Sequence, residues 1–163
     1  MRDLAAPASR RSPMLALVDR VIGLLDGVPY TLLALPLRAA VATVFWNSAM
    51  AKLANWDTTI ELFTEEYKVP LLPPEIAANL ALAIELTTPV LLVLGLLTRA
   101  SALVLLGMTT VIEIFVYPQA WPTHIQWAAM LLVLLCRGAG RLSLDHVVWQ
   151  RIGPLHGKAA PVA

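Results

Sequence analysis

The chain has 163 residues, 58% of them hydrophobic and only 14% charged. A soluble domain carries about 25% charged residues, so a deficit of this kind marks a chain whose main solvent is lipid. A net charge of +1 offers nucleic acid nothing to bind, and the single cysteine, Cys136, excludes an intrachain disulfide, a Cys-x-x-Cys redox pair and a cysteine metal cluster.

Residues 1–30 read as a cytoplasmic segment. Arg2, Arg10, Arg11 and Arg20 are interrupted by Pro7 and Pro13, with no apolar core of signal-peptide length, so the N-terminus is expected to be retained. Within it, "MLALVDRVIGLLD" (14–26) is too short and too charged to cross a bilayer and is expected to lie along its inner surface. Four runs then reach or approach the roughly 20 residues a spanning helix needs: 31–53, 75–97, 100–117 and 121–137. Between the first two, Asp57 is expected to cap a short helix on which Ile60, Phe63 and Tyr67 share a face. Pro70, Pro73 and Pro74 end that helix. Gly95 to Arg99 is a turn tight enough to force an antiparallel hairpin, and "YPQAWP" makes another. After the fourth span, "GAG" is a membrane-exit turn, with Ser143 capping a helix "LDHVVWQRI" in a cytoplasmic tail, 146–163. The fold expected is all-α, an up-down four-helix membrane bundle over 31–145.

Lysine and arginine placement predicts the orientation. Arg99, Arg137, Arg141, Arg151 and Lys158 join the N-terminal arginines on one side; the other has only Lys52 and Lys68 among Asp57, Glu61, Glu65, Glu66 and Glu75. Both termini are thus expected in the cytoplasm. Trp56, Tyr117 and Trp121 suit an outer aromatic belt.

Several of these pieces, in this order, resemble the DoxX family of small four-span bacterial inner-membrane proteins. The resemblance rests on Arg38 opening the first span and "WNSAMAKL" (46–53) closing it. It continues through "FTEEYKVPLLPPEIAANLALAIELTTPVLLVLGLLTRASAL" (63–103) to "GAGRLSLD" (138–145), where "GAG" replaces the Gly-Pro-Gly such proteins often carry. Some members are similar to the small subunit of a thiosulfate:quinone oxidoreductase. The resemblance therefore implies a multi-pass fold and, for some members, a place in a membrane redox complex.

Each span carries a polar residue. At 1.5 Å per helical residue, Glu85 falls about 15 Å below the outer surface, Glu113 and Asn47 about 10 Å, and His124 about 5 Å. Ionisable groups at such depths are costly and face a bundle interior or a wet cavity. Pro89 removes the N–H that would pair with the Glu85 carbonyl, and Thr88 lies beside it at i+3. Thr109, Thr110, Glu113 and Tyr117 form a stripe on the third span. The candidate catalytic groups are therefore Glu85, Glu113 and His124. Asn47, Thr88, Thr109, Thr110 and Tyr117 are the candidate cavity residues. Arg38 and Lys52 read as side chains that reach the two interfaces and mark depth. With no basic residue expected at its depth, Glu85 is predicted to be a neutral carboxylic acid that donates a hydrogen bond to Asn47 or to a carbonyl. No metal site is expected, since Glu85, Glu113 and His124 lack ligand spacing, and a lone histidine in the spans argues against haem.

The function predicted is a membrane subunit of a quinone-linked redox complex with a polar cavity open to the outer side. It would carry no covalent cofactor, with quinone as the candidate ligand. Lipid, a redox partner subunit and a second copy of the chain are the candidate partners. The alternatives are a non-catalytic scaffold or assembly factor and, third, a small-solute or proton transporter, which the lack of an inverted repeat disfavours.

Overall fold

The structure, a computed structural model, describes residues 12–152. Arg2, Arg10, Arg11 and Lys158, which enter the orientation argument, lie outside those residues, as does the end of the expected tail. Seven α-helices follow in order. They are α1 (Pro13–Asp26), α2 (Tyr30–Ala54), α3 (Trp56–Leu62), α4 (Pro74–Leu94), α5 (Thr98–Val111), α6 (Trp121–Arg137) and α7 (Leu144–Ile152). The last turns after α3 and α5 widen into π-helical turns, Phe63–Tyr67 and Ile112–Val116. Among the described residues there is no strand.

Local chemistry sets most of these boundaries. Ser12 accepts from the Leu15 amide and Pro13 opens α1; Pro74 opens α4 and Pro122 sits in the first turn of α6, where a missing N–H costs nothing. The short helix α3 is capped by Asn55, whose side chain accepts from the Thr58 amide, rather than by Asp57 as the sequence suggests. Ser143 caps α7 through the His146 amide. No residue of α1 is buried, and its Leu17, Val18, Leu24 and Leu25 are exposed.

Among the described residues, three helices are long and apolar enough to cross a membrane: α2, α4 and α5 with its π turn. The helix α6, with 17 residues, falls short of that length. It nevertheless shares the core, in which Val41 and Phe45 from α2 meet Leu92 from α4, Ala102 and Leu105 from α5, and Leu131 and Leu134 from α6. A second cluster seats Phe63 on Ala77, Ala78 and Ala81, so α3 and its π turn pack against the first half of α4.

The end of the molecule holding the α4–α5 turn is tied by Arg38. Its guanidinium donates to the carbonyls of Leu92 (2.6 Å), Val93 (2.5 Å), Leu142 (2.8 Å) and Ala139 (3.2 Å). At 3% exposure it is buried, not reaching for an interface, and the expectation that it marks depth is corrected. The reason is chemical. The last carbonyls of a helix lack partners and carry partial negative charge, and a planar five-donor group satisfies several at once. Gly95 makes room for it: φ is +66°, and a Cβ there would fall 2.5 Å from Ser143 Cβ and 2.8 Å from Arg38 Nη2. The Asp145 carboxylate closes the same turn by accepting from the Leu97 and Thr98 amides, at 2.7 and 2.9 Å.

Candidate functional site

At the other end, α2, α4, α5 and α6 enclose a cavity of about 800 Å³, within the range of small-molecule sites. Its walls are largely apolar, with Val44, Phe45, Ala81, Ile84, Met108 and Trp127 among them. The sequence suggested a polar cavity; polarity is instead confined to a few points on a hydrocarbon wall.

The first point is an ion pair. Lys52 Nζ lies 2.7 Å from Glu85 Oε2 and 2.9 Å from Oε1, and Ser48 Oγ donates to Oε1 at 3.0 Å while accepting from Lys52 at 2.9 Å. The Glu85 side chain is 2% exposed and that of Lys52 16%. The Lys52 ammonium contacts both Glu85 oxygens, so the carboxyl group has a basic partner inside the helix assembly. The expectation that no basic residue stands at the depth of Glu85 is therefore corrected. The error was one of level, since α4 extends beyond α2 to pack beside α3. Its first three turns or so cannot serve as a ruler from the end of α2.

The second point is Glu113 with His124. Glu113 stands on the π turn after α5, and its Oε2 lies 2.6 Å from His124 Nδ1. His124 is buried, lines the cavity and tilts against Trp127, ring centroids 5.0 Å apart. The Glu113 side chain is 32% exposed. The pair thus runs from the cavity wall to the molecular surface.

The third is an aromatic group on the wall contributed by the two π turns. Phe63, Tyr67 and Tyr117 stack edge to face, with centroids 5.0 and 5.6 Å apart, and Tyr117 donates to Glu66 at 2.6 Å. That hydrogen bond, and a smaller one involving Tyr67, hold the Tyr117 phenol well above its ordinary pKa.

Of the sequence candidates, Glu85, His124 and Tyr117 line the cavity and Glu113 reaches it through His124. Asn47 is exposed and turned away from Glu85, and Ser48, one residue on, takes its place. A step of one residue on a helix is about 100°, enough to exchange inside for outside. Thr88, Thr109 and Thr110 donate to carbonyls of their own helices, at Ile84, Leu105 and Leu106, and do not line the cavity. Glu85, Glu113 and His124 do not converge on one point as metal ligands would, since each carboxylate is engaged by a different base. The residues missed were Ser48, Trp127 and Phe63; the signal for Ser48 was its i+4 spacing to Lys52.

The DoxX family model matches residues 33–118. An uncharacterized protein of Haemophilus influenzae (strain ATCC 51907 / DSM 11121 / KW20 / Rd) is 29% identical over 136 residues, covering 76% of this chain and 88% of its own. No solved structure matches the chain.

Proposed function

The chain belongs to the DoxX family of membrane proteins, and from that premise we propose that it is the quinone-handling membrane subunit of a redox complex in the bacterial inner membrane. In this reading α2, α4, α5 and the shorter α6 all cross the bilayer, with both termini in the cytoplasm and α1 lying on the inner surface. The division into a cytoplasmic N-terminal segment (1–30), a membrane domain (31–145) and a tail (146–163) belongs to the same reading. The observation that carries it is an apolar cavity whose base is a Lys52–Glu85 ion pair and whose edge is a Glu113–His124 pair.

A quinone ring fits this chemistry. It is flat and apolar, and its two carbonyls accept hydrogen bonds from groups such as the His124 ring, or from Lys52 Nζ in exchange for one of its present partners. Reduction to the quinol takes two electrons and two protons. The electrons come from a partner subunit. The protons enter through Glu113 and His124, which link the surface to the cavity. Tyr117 and Ser48 position the groups around the head, and Asn47, Thr88, Thr109 and Thr110 have no part in it.

A second reading, a non-catalytic scaffold, is favoured by the way the buried polar groups satisfy one another or their own backbone. The test is tryptophan quenching. Decyl-tailed dimethoxybenzoquinone added to the purified full chain is expected to give saturable quenching that disappears in Trp127→Phe. Glu113→Gln should keep that binding and lose quinone turnover by the assembled complex. Quenching that never saturates, or is the same in Trp127→Phe, favours the scaffold.

A further inference from the structure

The cavity has one wall unlike the others. The helix α4 packs chiefly on α2 and α5 chiefly on α6, which leaves α4–α5 and α2–α6 as the looser seams, and of these two it is the α4–α5 seam whose exposed side chains line the cavity. Leu80 and Ile84 from α4 and Leu103, Val104 and Val111 from α5 line the cavity along that seam. Four of them are also open to the outside: Leu80 is 49% exposed, Leu103 57%, Val104 44% and Val111 38%. The wall of the cavity is thus the apolar surface of the molecule. Between Val104 and Val111 stands Gly107, also on the cavity, where an added Cβ would meet nothing within 4 Å. Glycine is a poor helix former, and here no neighbour packs over it. What it supplies is a gap.

Side chains also stand on the other approaches, although the exposed Leu71 and Leu72 reach the cavity at its end near α3. Toward α6, Leu105 and Leu131 close the core, and toward the outer end stand the Phe63–Tyr67–Tyr117 stack and the Tyr117–Glu66 hydrogen bond. On these grounds we infer that the cavity is loaded sideways from the bilayer through the α4–α5 seam. Its occupant is a tailed, neutral-headed lipid whose head reaches Lys52 and Glu85 while its chain lies over Gly107. Charge selects the head. Lys52 and Glu85 offset each other, so the base attracts neither an anionic nor a cationic headgroup; the three Lys52 donors are taken by Ser48 and the two Glu85 oxygens, and a headgroup acceptor is received there by displacing one of them. The seam selects the tail, because it is lined by side chains without a polar atom and opens on lipid. The identity of the head as a quinone rests on the function proposed above; the lateral route rests on the seam.

The probe is a dimethoxybenzoquinone with a decyl tail ending in a diazirine, photolysed with the full chain in phosphatidylcholine nanodiscs. Label that excess plain decyl-quinone competes away is expected on residues 80–84 and 103–111. Gly107→Leu, and independently Val104→Trp, should reduce it at least tenfold while tail-free dimethoxybenzoquinone still quenches Trp127. Competable label concentrated on residues 63–72 and Tyr117, or unchanged labelling in both plugged variants, overturns the lateral route. In the unmodified chain, absence of competable label on residues 80–84 and 103–111 with Trp127 quenching by the tail-free ring retained overturns the route alone. Loss of both in the unmodified chain overturns the quinone reading as well.

Discussion

Lys52, in the last turn of α2, meets Glu85 at the middle of α4, with 2.7 Å between ammonium and carboxylate. Each charge is tolerable inside the helix assembly because of the other, and Ser48 supplies the additional hydrogen bond.

Removing one member leaves the other unpaired. Lys52→Met or Glu85→Leu alone is expected to cost about 3–5 kcal/mol, and the double replacement to recover most of it. Thermal unfolding of the four proteins in detergent gives the coupling directly. Losses that simply add would show that the pair is not coupled.

Arg38 is expected to resist even conservative replacement. Lysine is a compact charge that cannot span carbonyls from two separate segments, so Arg38→Lys gives up at least two charge-assisted hydrogen bonds. At about 1.5–3 kcal/mol each, the loss should be near 3 kcal/mol or more. A wild-type unfolding midpoint for Arg38→Lys would contradict the assignment.

The bond from Tyr117 to Glu66 has a pH signature. Glu66, and to a lesser degree Tyr67, raise the folded-state pKa of the Tyr117 phenol. The stabilisation is therefore complete below the unfolded phenol's value of about 10, and is lost as pH climbs from there through the higher folded-state value. Because Glu66 is exposed, the effect is about 1 kcal/mol or less. The stability gap between wild type and Tyr117→Phe should stay flat to about pH 9 and narrow above about pH 10. A gap that widens with alkali is the opposite sign and would rule the assignment out.

Orientation is tested by labelling. In a Cys136→Ser background, a cysteine replacing Thr64 should react with an impermeant maleimide added from the periplasm, and one replacing Arg141 only after the membrane is opened. The reverse pattern inverts the proposed topology.

Hydropathy made the helices legible. The expected spans at 31–53 and 75–97 fall within three residues of α2 and α4, and 121–137 coincides with α6. The α7 sequence and its Ser143 cap were equally readable, because caps and prolines act over three or four residues. What failed was anything needing the angle or level of one helix against another. Asn47 and Ser48 differ by one rotation step, and hydropathy does not separate them. The inward stripe Val41, Phe45, Ser48, Lys52 carries the right spacing, yet a lysine near a helix end ordinarily reads as an interface marker. Arg38 misled for the same reason. Its acceptors are backbone carbonyls more than fifty residues away, which no side-chain pattern announces. The π turns, which carry Glu113 and bring Tyr67 to Tyr117, have no signature in the spacing read here.

Arg38 also fixes an order of events during synthesis. Its acceptor at Leu92 lies 54 residues downstream and that at Ala139 lies 101. When α2 leaves the ribosome and enters the membrane, the guanidinium has none of the carbonyls that later hold it. It must travel with water or lipid phosphate until α4 arrives, and it is fully engaged only when the segment after α6 folds back. The nascent chain thus carries a cation that records its own completion. A chain arrested before residue 142 would still display an unsatisfied arginine where membrane quality control could find it.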